Sequence, residues 1–473
     1  MSTRIGTFAV GFDRYWPQFP GLREQLEGYL REFEAWLGDV EVVSAGMVDD
    51  VASGRRAGDL FAQRQADLVF CDVTTYIPSA SVLPVLQRAK APVVLAGLQP
   101  SPGLNPATAT MRDQLAHDNC TNLPELVFAA QRSRTPVAGV LFGMLHGDER
   151  VRAKIRDWVD AAKAAHALRN GRIGFLGHAF EGMVDMYADP GLVEAAFGLH
   201  MEMIEMCELK KFIDSVTERE TEAMMAQIRD YFVFPEPGVD PIAGPVRPES
   251  LAWSARVAVG LERLVAGAGL DGLAYYYRGL DDNEFQRIVP AMIVGNSLLT
   301  GRGVPIAGEG DIKNCIAMLV MDRLGAGGSF AELHPASFAG DFVLVGHDGP
   351  GHIAISGEKP ALRDLSVLHG KYGKGISVEF KVKNGPITLL GLTHRPDGAF
   401  KFVVAEGESV PGDIPATGNT NTPARFAPDV ATFVEDWSKA GPTHHFALGV
   451  GRQAGRIEKV GRLMNIDVEV VAQ

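Results

Sequence analysis

Short apolar runs alternate with helical periodicity through the first 165 residues, and this alternation constrains the fold more than any other feature. The runs RIGTFAVGF, ADLVFCDV, APVVLAGL and TPVAGVLFG are apolar almost throughout, which is typical of strands buried on both faces of a parallel sheet. Between the first two, Leu22, Leu26 and Leu30 recur at helical spacing. Parallel strands joined by helices require right-handed crossovers, so the segment is predicted to form a doubly wound α/β domain.

A second alternation runs from residue 166 to residue 327, and the pattern then changes. RIGFLGHAFEG, DGLAYYYRG and VPIAGEG are predicted strands, and residues 192–231, 248–268 and 283–300 are predicted helices. From residue 328, short runs such as DFVLVGH, HIAIS and FKFVVAEG are separated by hairpin signals, which favour an antiparallel barrel or sandwich, with one last helix at 452–463. We therefore predict two doubly wound α/β domains, at 1–165 and 166–327, and a C-terminal antiparallel β-barrel-like domain at 328–473.

Charge and motifs exclude several classes of partner and cofactor. The formal net charge is −13 and the pI is near 5.4, so no basic surface is expected for nucleic acid or anionic membranes. Neither a GxGxxG after a strand nor a GxxxxGK[ST] occurs, so no nucleotide cofactor is expected. The N-terminal MSTRIGTFAVGF lacks the apolar core of a secretion signal, and the cysteines are scattered without metal spacing. We therefore expect a cytoplasmic protein with reduced cysteines and no transmembrane span.

Two glutamates and two histidines in the last third of the chain are the strongest candidates for chemistry. They are Glu309 in GEGD, Glu332 in SFAELHP, His347 in LVGHDGPGH and His445 in GPTHHFALGVG. Each lies at a Gly- or Pro-rich corner beside an apolar segment, where site residues concentrate. Carboxylate oxygens mixed with imidazole nitrogens suit a divalent ion such as Mn²⁺, Co²⁺ or Mg²⁺. Such an ion can hold neighbouring sugar oxygens while a carboxylate moves a proton between adjacent carbons.

Each of these residues also has a structural interpretation. Glu309 could be an acid that favours a helix N-terminus, Glu332 a solvent-exposed loop residue and His347 a satisfied core histidine. Of the neighbouring His444 and His445, only one is expected to reach an ion, because adjacent side chains in extended backbone point to opposite sides. We favour His445 as that ligand.

The order of these motifs resembles that of the L-arabinose isomerases and the related L-fucose isomerase superfamily. GEGD is followed by SF-x-E, by an apolar strand ending in Gly-His and by G-x-x-HH before a Gly-rich turn. The resemblance implies that Glu309, Glu332, His347 and His445 bind a divalent metal, Mn²⁺ first, and that the two glutamates act as acid and base. It also implies two α/β domains before a β domain, and a homo-oligomer, a hexamer or tetramer, whose pockets a neighbouring subunit completes.

The loops expected to contact substrate depart from that family. FDRYWPQ replaces the family's usual first-strand loop and offers Tyr15, Trp16 and Gln18 for stacking on and hydrogen-bonding a sugar. The alternative is that Trp16 packs within its own domain. Tyr277, after a predicted strand, and His444 are the other residues expected to contact substrate.

The expected function is that of a metal-dependent aldose–ketose isomerase. Its substrate is expected to be a pentose-type aldose, similar to L-arabinose, which reacts through a cis-enediol. The alternatives are an L-fucose-type isomerase or an epimerase on another small sugar, and a non-catalytic sugar-binding protein.

The motif GEGDIKN lacks the tryptophan that often follows the aspartate in the family. Its Asp311 is expected to cap the next helix or to accept a hydrogen bond from a ligand.

Overall fold

The computed structural model of the protein describes residues 2–279, 283–368 and 373–473. The chain divides into two compact units, Met1–His166 and Ala167–Gln473, each with its own sheets and core. A further domain boundary at residue 328, inside the second unit, stays a prediction. Within the described ranges, no helix combines the length and apolar character needed to cross a membrane.

A five-stranded parallel sheet lies at the centre of the first unit. Its strands are β1 (Arg4–Val10), β2 (Glu41–Val48), β3 (Leu68–Asp72), β4 (Val93–Gln99) and β5 (Gly139–Met144). They follow the order β2-β1-β3-β4-β5, which is common among open α/β sheets. All residues of β3 are buried, which explains why its sequence is a continuous apolar run ending in one aspartate.

Helices connect the parallel strands of the first unit. They are α1 (Tyr15–Gln18), α2 (Leu22–Glu34), α3 (Val51–Gln63), α4 (Ser79–Arg88), α5 (Met111–Leu115), α6 (Asn122–Arg132) and α7 (Glu149–Arg169), the last of which contains the boundary between the units. The predicted leucine periodicity of α2 forms its buried face, and Phe33 of that helix packs edge-on against Phe70 of β3 at 5.5 Å between ring centroids.

Two small residues let α3 and α4 approach each other closely. A Cβ atom added at Gly54 would lie 2.1 Å from the carbonyl oxygen of Ser81, and one added at Gly58 would lie 2.9 Å from that of Pro84. Backbone atoms cannot move aside as the end of a side chain can, so these glycines fix the spacing of the two helices.

The described residues of the second unit form three sheets. Its strands are β6 (Arg172–Gly177), β7 (His200–Ile204), β8 (Ala243–Gly244), β9 (Gly272–Tyr276), β10 (Ile306–Ala307), β11 (Ser329–Ser337), β12 (Phe342–Gly346), β13 (Ala361–Leu365), β14 (Gly375–Glu379), β15 (Gly385–His394), β16 (Phe400–Ser409), β17 (Thr422–Arg425), β18 (Phe446–Val450) and β19 (Asp467–Ala472). Its helices are α8 (Pro190–Phe197), α9 (Met206–Asp214), α10 (Glu218–Tyr231), α11 (Pro248–Ala268), α12 (Met292–Thr300), α13 (Ile312–Arg323), α14 (Val430–Ala440) and α15 (Ala454–Met464).

One sheet of the second unit is parallel and the largest is mostly antiparallel. The parallel sheet has the order β10-β9-β6-β7. The seven-stranded sheet has the order β15-β18-β11-β12-β17-β16-β19, with β15 also paired to β16 and only β19 parallel to its neighbour. A small sheet, β14-β13-β8, is antiparallel. The predicted α/β class with a separate antiparallel region is confirmed, whereas the barrel stays a prediction.

Three local predictions for the second unit are wrong. Residues 192–231 are not one helical region, because β7 interrupts the helices and pairs with β6; the pairing outweighs the helix propensity of its methionines and glutamate. HIAIS forms a 3₁₀ turn, Ile353–Ile355, in place of a strand. The predicted helix 283–300 begins with two 3₁₀ turns and becomes α-helical only at Met292, after Pro290, which has no amide hydrogen to donate.

We predict that Gly54→Ala destabilises the first unit by about 1–3 kcal/mol, the usual effect of an overpacked contact. Alanine favours a helix interior by roughly 0.5–1 kcal/mol, but the 2.1 Å approach to the Ser81 carbonyl outweighs that gain. Urea unfolding measures the effect. Gly103→Ala is the control, because a Cβ there meets nothing within 4 Å. Equal stability of the two variants would contradict the close-packing interpretation.

Candidate metal centre

The pairing of β11 with its two neighbours brings three candidate residues to one edge of the antiparallel sheet. Glu332 of β11 pairs with Gly346 of β12, the residue before His347. On its other side, β11 pairs with β18 at Phe446, the residue after His445. Residues that are far apart in the sequence therefore meet because the strand register places them at the same level.

Glu309 reaches the same place from the loop between β10 and α13. It is 5% exposed and has a left-handed backbone, with φ of 60°, which is uncommon for a residue other than glycine. Hydrogen bonds hold this conformation on both sides: the Phe180 amide donates to the Glu309 carbonyl at 2.9 Å, and the Gly310 amide donates to the Tyr275 carbonyl at 3.0 Å. Such a conformation costs about 1–2 kcal/mol, and it aims the carboxylate at the histidines.

His347 and His445 direct their Nε2 atoms at each other, 3.3 Å apart. Nδ1 of His347 contacts the Asp348 carbonyl oxygen at 2.9 Å, and Nδ1 of His445 contacts Oδ2 of Asp311 at 3.1 Å. Both partners are hydrogen-bond acceptors, so Nδ1 of each ring carries a proton and Nε2 of the neutral ring presents its lone pair. Two lone pairs that face each other repel unless a positive charge lies between them.

The surroundings of His445 attract positive charge. Its ring is fully buried, and its Nε2 lies 3.3 Å from a carboxylate oxygen of Glu309. Burial disfavours the charged ring, but hydrogen bonds to Asp311 and Glu309 outweigh it and raise the pKa of His445 to about 9. A site that holds a proton so tightly is also suited to a metal cation.

The donor set fits a divalent ion. Ligand atoms of Glu309, His347 and His445 lie within 4.8 Å of one another. Two ligands about 2.1 Å from an octahedral ion are roughly 3 Å apart, close to the separation of the two Nε2 atoms. Outer acceptors orient both rings, as is usual for histidines that bind metals. Asp311 fulfils both expected roles, because its second carboxylate oxygen accepts the Asn314 amide at 2.9 Å and caps α13.

Glu332 lies at the more open side of this centre. Its side chain is 30% exposed, and it forms a second group of possible ligands with His444 and His445, again within 4.8 Å. Nε2 of His334 lies 3.3 Å from its carboxylate. Burial alone would raise the pKa of Glu332, but the hydrogen bond with His334 and the charges of His347 and His445 lower it to about 2. Glu332 is therefore ionised at neutral pH.

His444 is held from outside the sheet, by a residue that the sequence did not single out. Its backbone amide and its Nδ1 both contact Oδ2 of Asp185, at 2.9 and 2.7 Å. Asp185 belongs to a 3₁₀ turn, Val184–Met186, in the segment after β6. The buried Lys313 ammonium in turn donates a short hydrogen bond to the Asp185 carbonyl, and burial lowers the pKa of Lys313.

A cleft opens beside the centre. Glu309 and His347 form part of its wall, together with Tyr277, Arg278 and Asn419. The rest of the wall is mostly apolar, with Gln286 and Asp348 as further polar groups, and all the lining residues belong to the second unit. A concave site with a few polar groups on an apolar wall is typical of small-molecule binding. Tyr277, expected from the sequence to contact substrate, therefore lies where it can do so.

Tyr15, Trp16 and Gln18 belong to the first unit, where they form the short helix α1. Gln18 is exposed, whereas Trp16 is partly buried. The indole N–H of Trp16 donates to Asp49 at 2.9 Å, and Arg23 lies over its ring at 5.8 Å from the centroid. These contacts match the alternative of packing within its own unit, and a role in sugar binding stays a prediction.

Sequence reasoning missed three residues that shape the centre. His334 contacts Glu332, Asp185 binds the neighbouring His444, and Lys313 binds Asp185. His334 carries a signal in the sequence, since it lies two residues from Glu332 on the same strand and thus on the same face. Asp185 carries none, because only the folded chain brings its loop to His444.

No protein-family model matches the chain. It is similar to the L-arabinose isomerase of a Nocardioides species, with 25% identity over 451 residues, which cover 91% of this chain and 86% of that enzyme. It is also similar to the sulfoquinovose isomerase of Priestia aryabhattai, with 25% identity over 176 residues, covering 37% of this chain and 39% of that enzyme.

Among solved structures, a sugar ABC transport substrate-binding protein from Bordetella parapertussis aligns with 69% of this chain and 81% of its own, at 13% identity. Its TM-score of 0.16 is too low to indicate a shared fold. The sequence relatives are informative, because the match to the Nocardioides enzyme extends over most of both chains. This similarity supports an arabinose isomerase-like family and an enzyme that isomerises a sugar.

Proposed function

We propose that this protein is a metal-dependent aldose–ketose isomerase that interconverts a pentose-type aldose, similar to L-arabinose, and its ketose through a cis-enediol. The observation that carries the proposal is the pair of facing Nε2 atoms of His347 and His445, 3.3 Å apart beside the buried Glu309 carboxylate. Two imidazole nitrogens and one carboxylate thus converge on one point, where a proton or a metal cation would be held. The similarity to arabinose isomerases supports the same chemistry.

We assign Glu309, Glu332, His347 and His445 as the residues that would hold the ion. Oxygen and nitrogen donors together favour Mn²⁺, with Co²⁺ or Mg²⁺ as alternatives. The bound ion would hold two neighbouring oxygens of the open-chain sugar and stabilise negative charge that develops on them.

The two glutamates divide the proton transfers between them. Glu332, ionised and partly exposed, would remove the proton from C2 and return it to C1. Glu309, buried beside His445, would help to move the proton between O1 and O2. Tyr277 at the cleft wall and His444 beside Glu332 would orient the sugar by hydrogen bonds.

A second candidate is the same chemistry on another small sugar, as in an L-fucose-type isomerase or an epimerase. It is favoured by the similarity to sulfoquinovose isomerase, whose identity equals that of the arabinose isomerase match over a shorter segment. A panel of aldoses and ketoses with Mn²⁺ separates the candidates by product. A non-catalytic sugar-binding protein would convert none of them.

We predict that wild-type protein exchanges the C2 proton of its aldose with deuterium in D₂O, and that removal of metal abolishes this exchange. Mn²⁺ or Co²⁺ should restore it, because the ion stabilises the charge left when the proton departs. NMR of the recovered sugar measures the exchange. Full exchange by a verified metal-free sample would refute metal dependence.

We predict that Glu332→Gln lowers turnover by about 10²-fold or more, the scale of a lost general acid or base. The fold should survive, since the amide has the same shape. Glu469→Gln is the control, because Glu469 lies on the same sheet with its side chain 48% exposed and pairs with Lys401. Similar turnover in both variants would mean that Glu332 is a surface carboxylate without a catalytic role.

We predict that His445→Ala weakens Mn²⁺ binding more than His444→Ala does. His445 is fully buried and directs Nε2 at His347, whereas the side chain of His444 is 36% exposed and turned to Asp185. Calorimetric titration of metal-free protein compares the two. The reverse order of affinities would reassign the ligand.

We further propose that the active form is a homo-oligomer, a hexamer or tetramer, in which the loop with Tyr15, Trp16 and Gln18 completes the pocket of a neighbouring subunit. Trp16→Ala should then raise KM strongly while metal content stays unchanged. Trp36→Ala is the control, since this tryptophan of the same unit is also partly buried under an arginine, with Arg152 at 4.4 Å. Mixed Trp16→Ala and Glu332→Gln chains should regain activity when subunits exchange. A fully active monomer would disprove the shared pocket.

A further inference from the structure

Asp185 accepts two hydrogen bonds from His444, and these bonds determine which ring nitrogen carries the proton. Oδ2 of Asp185 accepts the backbone amide of His444 at 2.9 Å and its Nδ1–H at 2.7 Å. A carboxylate has no proton to offer at neutral pH, so Nδ1 must be the donor. The neutral ring therefore carries its lone pair on Nε2, and the second contact prevents the backbone from turning the ring away.

The orientation of His444 is useful because of its neighbours. Ligand atoms of Glu332, His444 and His445 lie within 4.8 Å of one another, at the side of the centre where Glu332 is partly exposed. Because Nδ1 of His444 is bound to Asp185, Nε2 is the ring nitrogen left to accept a hydrogen bond from a sugar hydroxyl. The opposite tautomer would carry its hydrogen on Nε2 and would present a donor there, not an acceptor.

The turn that carries Asp185 is bound in turn by Lys313. Asp185 lies in the 3₁₀ turn Val184–Met186, in which Met186 is buried and Val184 is 75% exposed. Lys313, 2% exposed in the first turn of α13, donates from its ammonium group to the Asp185 carbonyl. A buried ammonium is expensive to desolvate, and its presence is explained when it has specific partners.

Lys313 and Glu309 come from the same segment, GEGDIK, which joins β10 to α13. This segment thus supplies a proposed ligand to the centre and, four residues later, the anchor of the Asp185 turn. The two histidines of the HH pair are oriented by two aspartates: His445 by Asp311 and His444 by Asp185.

We propose that Asp185 is a positioning residue that holds His444 with Nε2 available to accept a hydrogen bond from the substrate, and that Lys313 anchors the turn bearing Asp185. The part of this inference that concerns the substrate rests on the proposed isomerase function. The part that concerns the protonated nitrogen of His444 does not. Asp185 acts through His444 and does not touch the ion or the sugar.

The kinetic test compares Asp185→Ala with Asp185→Asn. Alanine should lower kcat/KM about 10-fold or more, the usual effect of losing an outer hydrogen-bond partner of a site histidine, mainly through KM. Asparagine should restore most of it, because its carbonyl oxygen accepts both N–H groups. Mn²⁺ content should be unchanged in both variants. Unchanged kcat/KM in Asp185→Ala, or a loss of metal, would overturn the proposal.

Asp189→Asn is the matched control for charge and location. Asp189 belongs to the same segment and caps α8 by accepting the Leu192 amide at 2.9 Å, a role that asparagine fills equally well. This variant should keep the wild-type kcat/KM. A loss as large as that of Asp185→Ala would show that the segment responds to charge in general, contrary to a specific role of Asp185.

A measurement without substrate tests the ring state separately. In protein labelled with [¹⁵N]histidine, the wild-type His444 signal, assigned by its loss in His444→Gln, should show a protonated Nδ1. In Asp185→Ala the signal should move towards the Nε2-protonated form. This measurement needs no isomerase activity, so a failure of the proposed function can be distinguished from a failure of the inference about Asp185. A wild-type ring protonated on Nε2 alone would refute the inference.

The anchor has its own test. Lys313→Met should increase hydrogen exchange of the amides in residues 183–187 and raise KM in the same direction as Asp185→Ala. If the turn exchanges as slowly as in the wild type, Lys313 is not its anchor. Lys313→Met combined with Asp185→Ala should raise KM no further than Asp185→Ala alone, because both changes release the same ring. Additive losses would contradict a common route through His444.

Discussion

The convergence of the His347 and His445 Nε2 atoms on one point is the constraint on which the candidate centre depends. His347 and His445 cannot hydrogen-bond to each other while both rings are neutral, yet their outer partners keep Nε2 pointing inward. Folding therefore assembles an arrangement that is unfavourable by itself and that a positive charge completes. The pKa of about 9 for His445 shows that the site stabilises a proton on this ring. The proposed ion would supply positive charge in the same place.

Much of the architecture follows from local patterns. The apolar runs that become β1, β3 and β4 could be recognised because a strand covered on both faces needs few polar residues. The leucines of α2 and the capping role of Asp311 follow from equally local rules. The four proposed ligands were found by their motifs. The approach of Glu332, His347 and His445 depends on the register of β11 between β12 and β18, which no local pattern specifies.

The failures have physical reasons that differ from case to case. β7 contains methionines and a glutamate that suit a helix, and only the free edge of β6 makes it a strand. Helix α14 lies in a region predicted to be β, although it has an aspartate cap, Asp429, and a buried stripe that includes Phe433 and Trp437. The contact between Asp185 and His444 joins residues from distant loops, so it could be seen only once both loops had been placed.

The left-handed backbone at Glu309 has a consequence for how this chain tolerates change. Glycine adopts that conformation without strain, so the fold by itself would be better served by glycine at this position, with the side chain lost. Stability and activity thus favour different residues at one position. A screen that selects only for thermal resistance would drift towards loss of the carboxylate, and under the role proposed for Glu309 the most heat-tolerant variants at this position would be inactive.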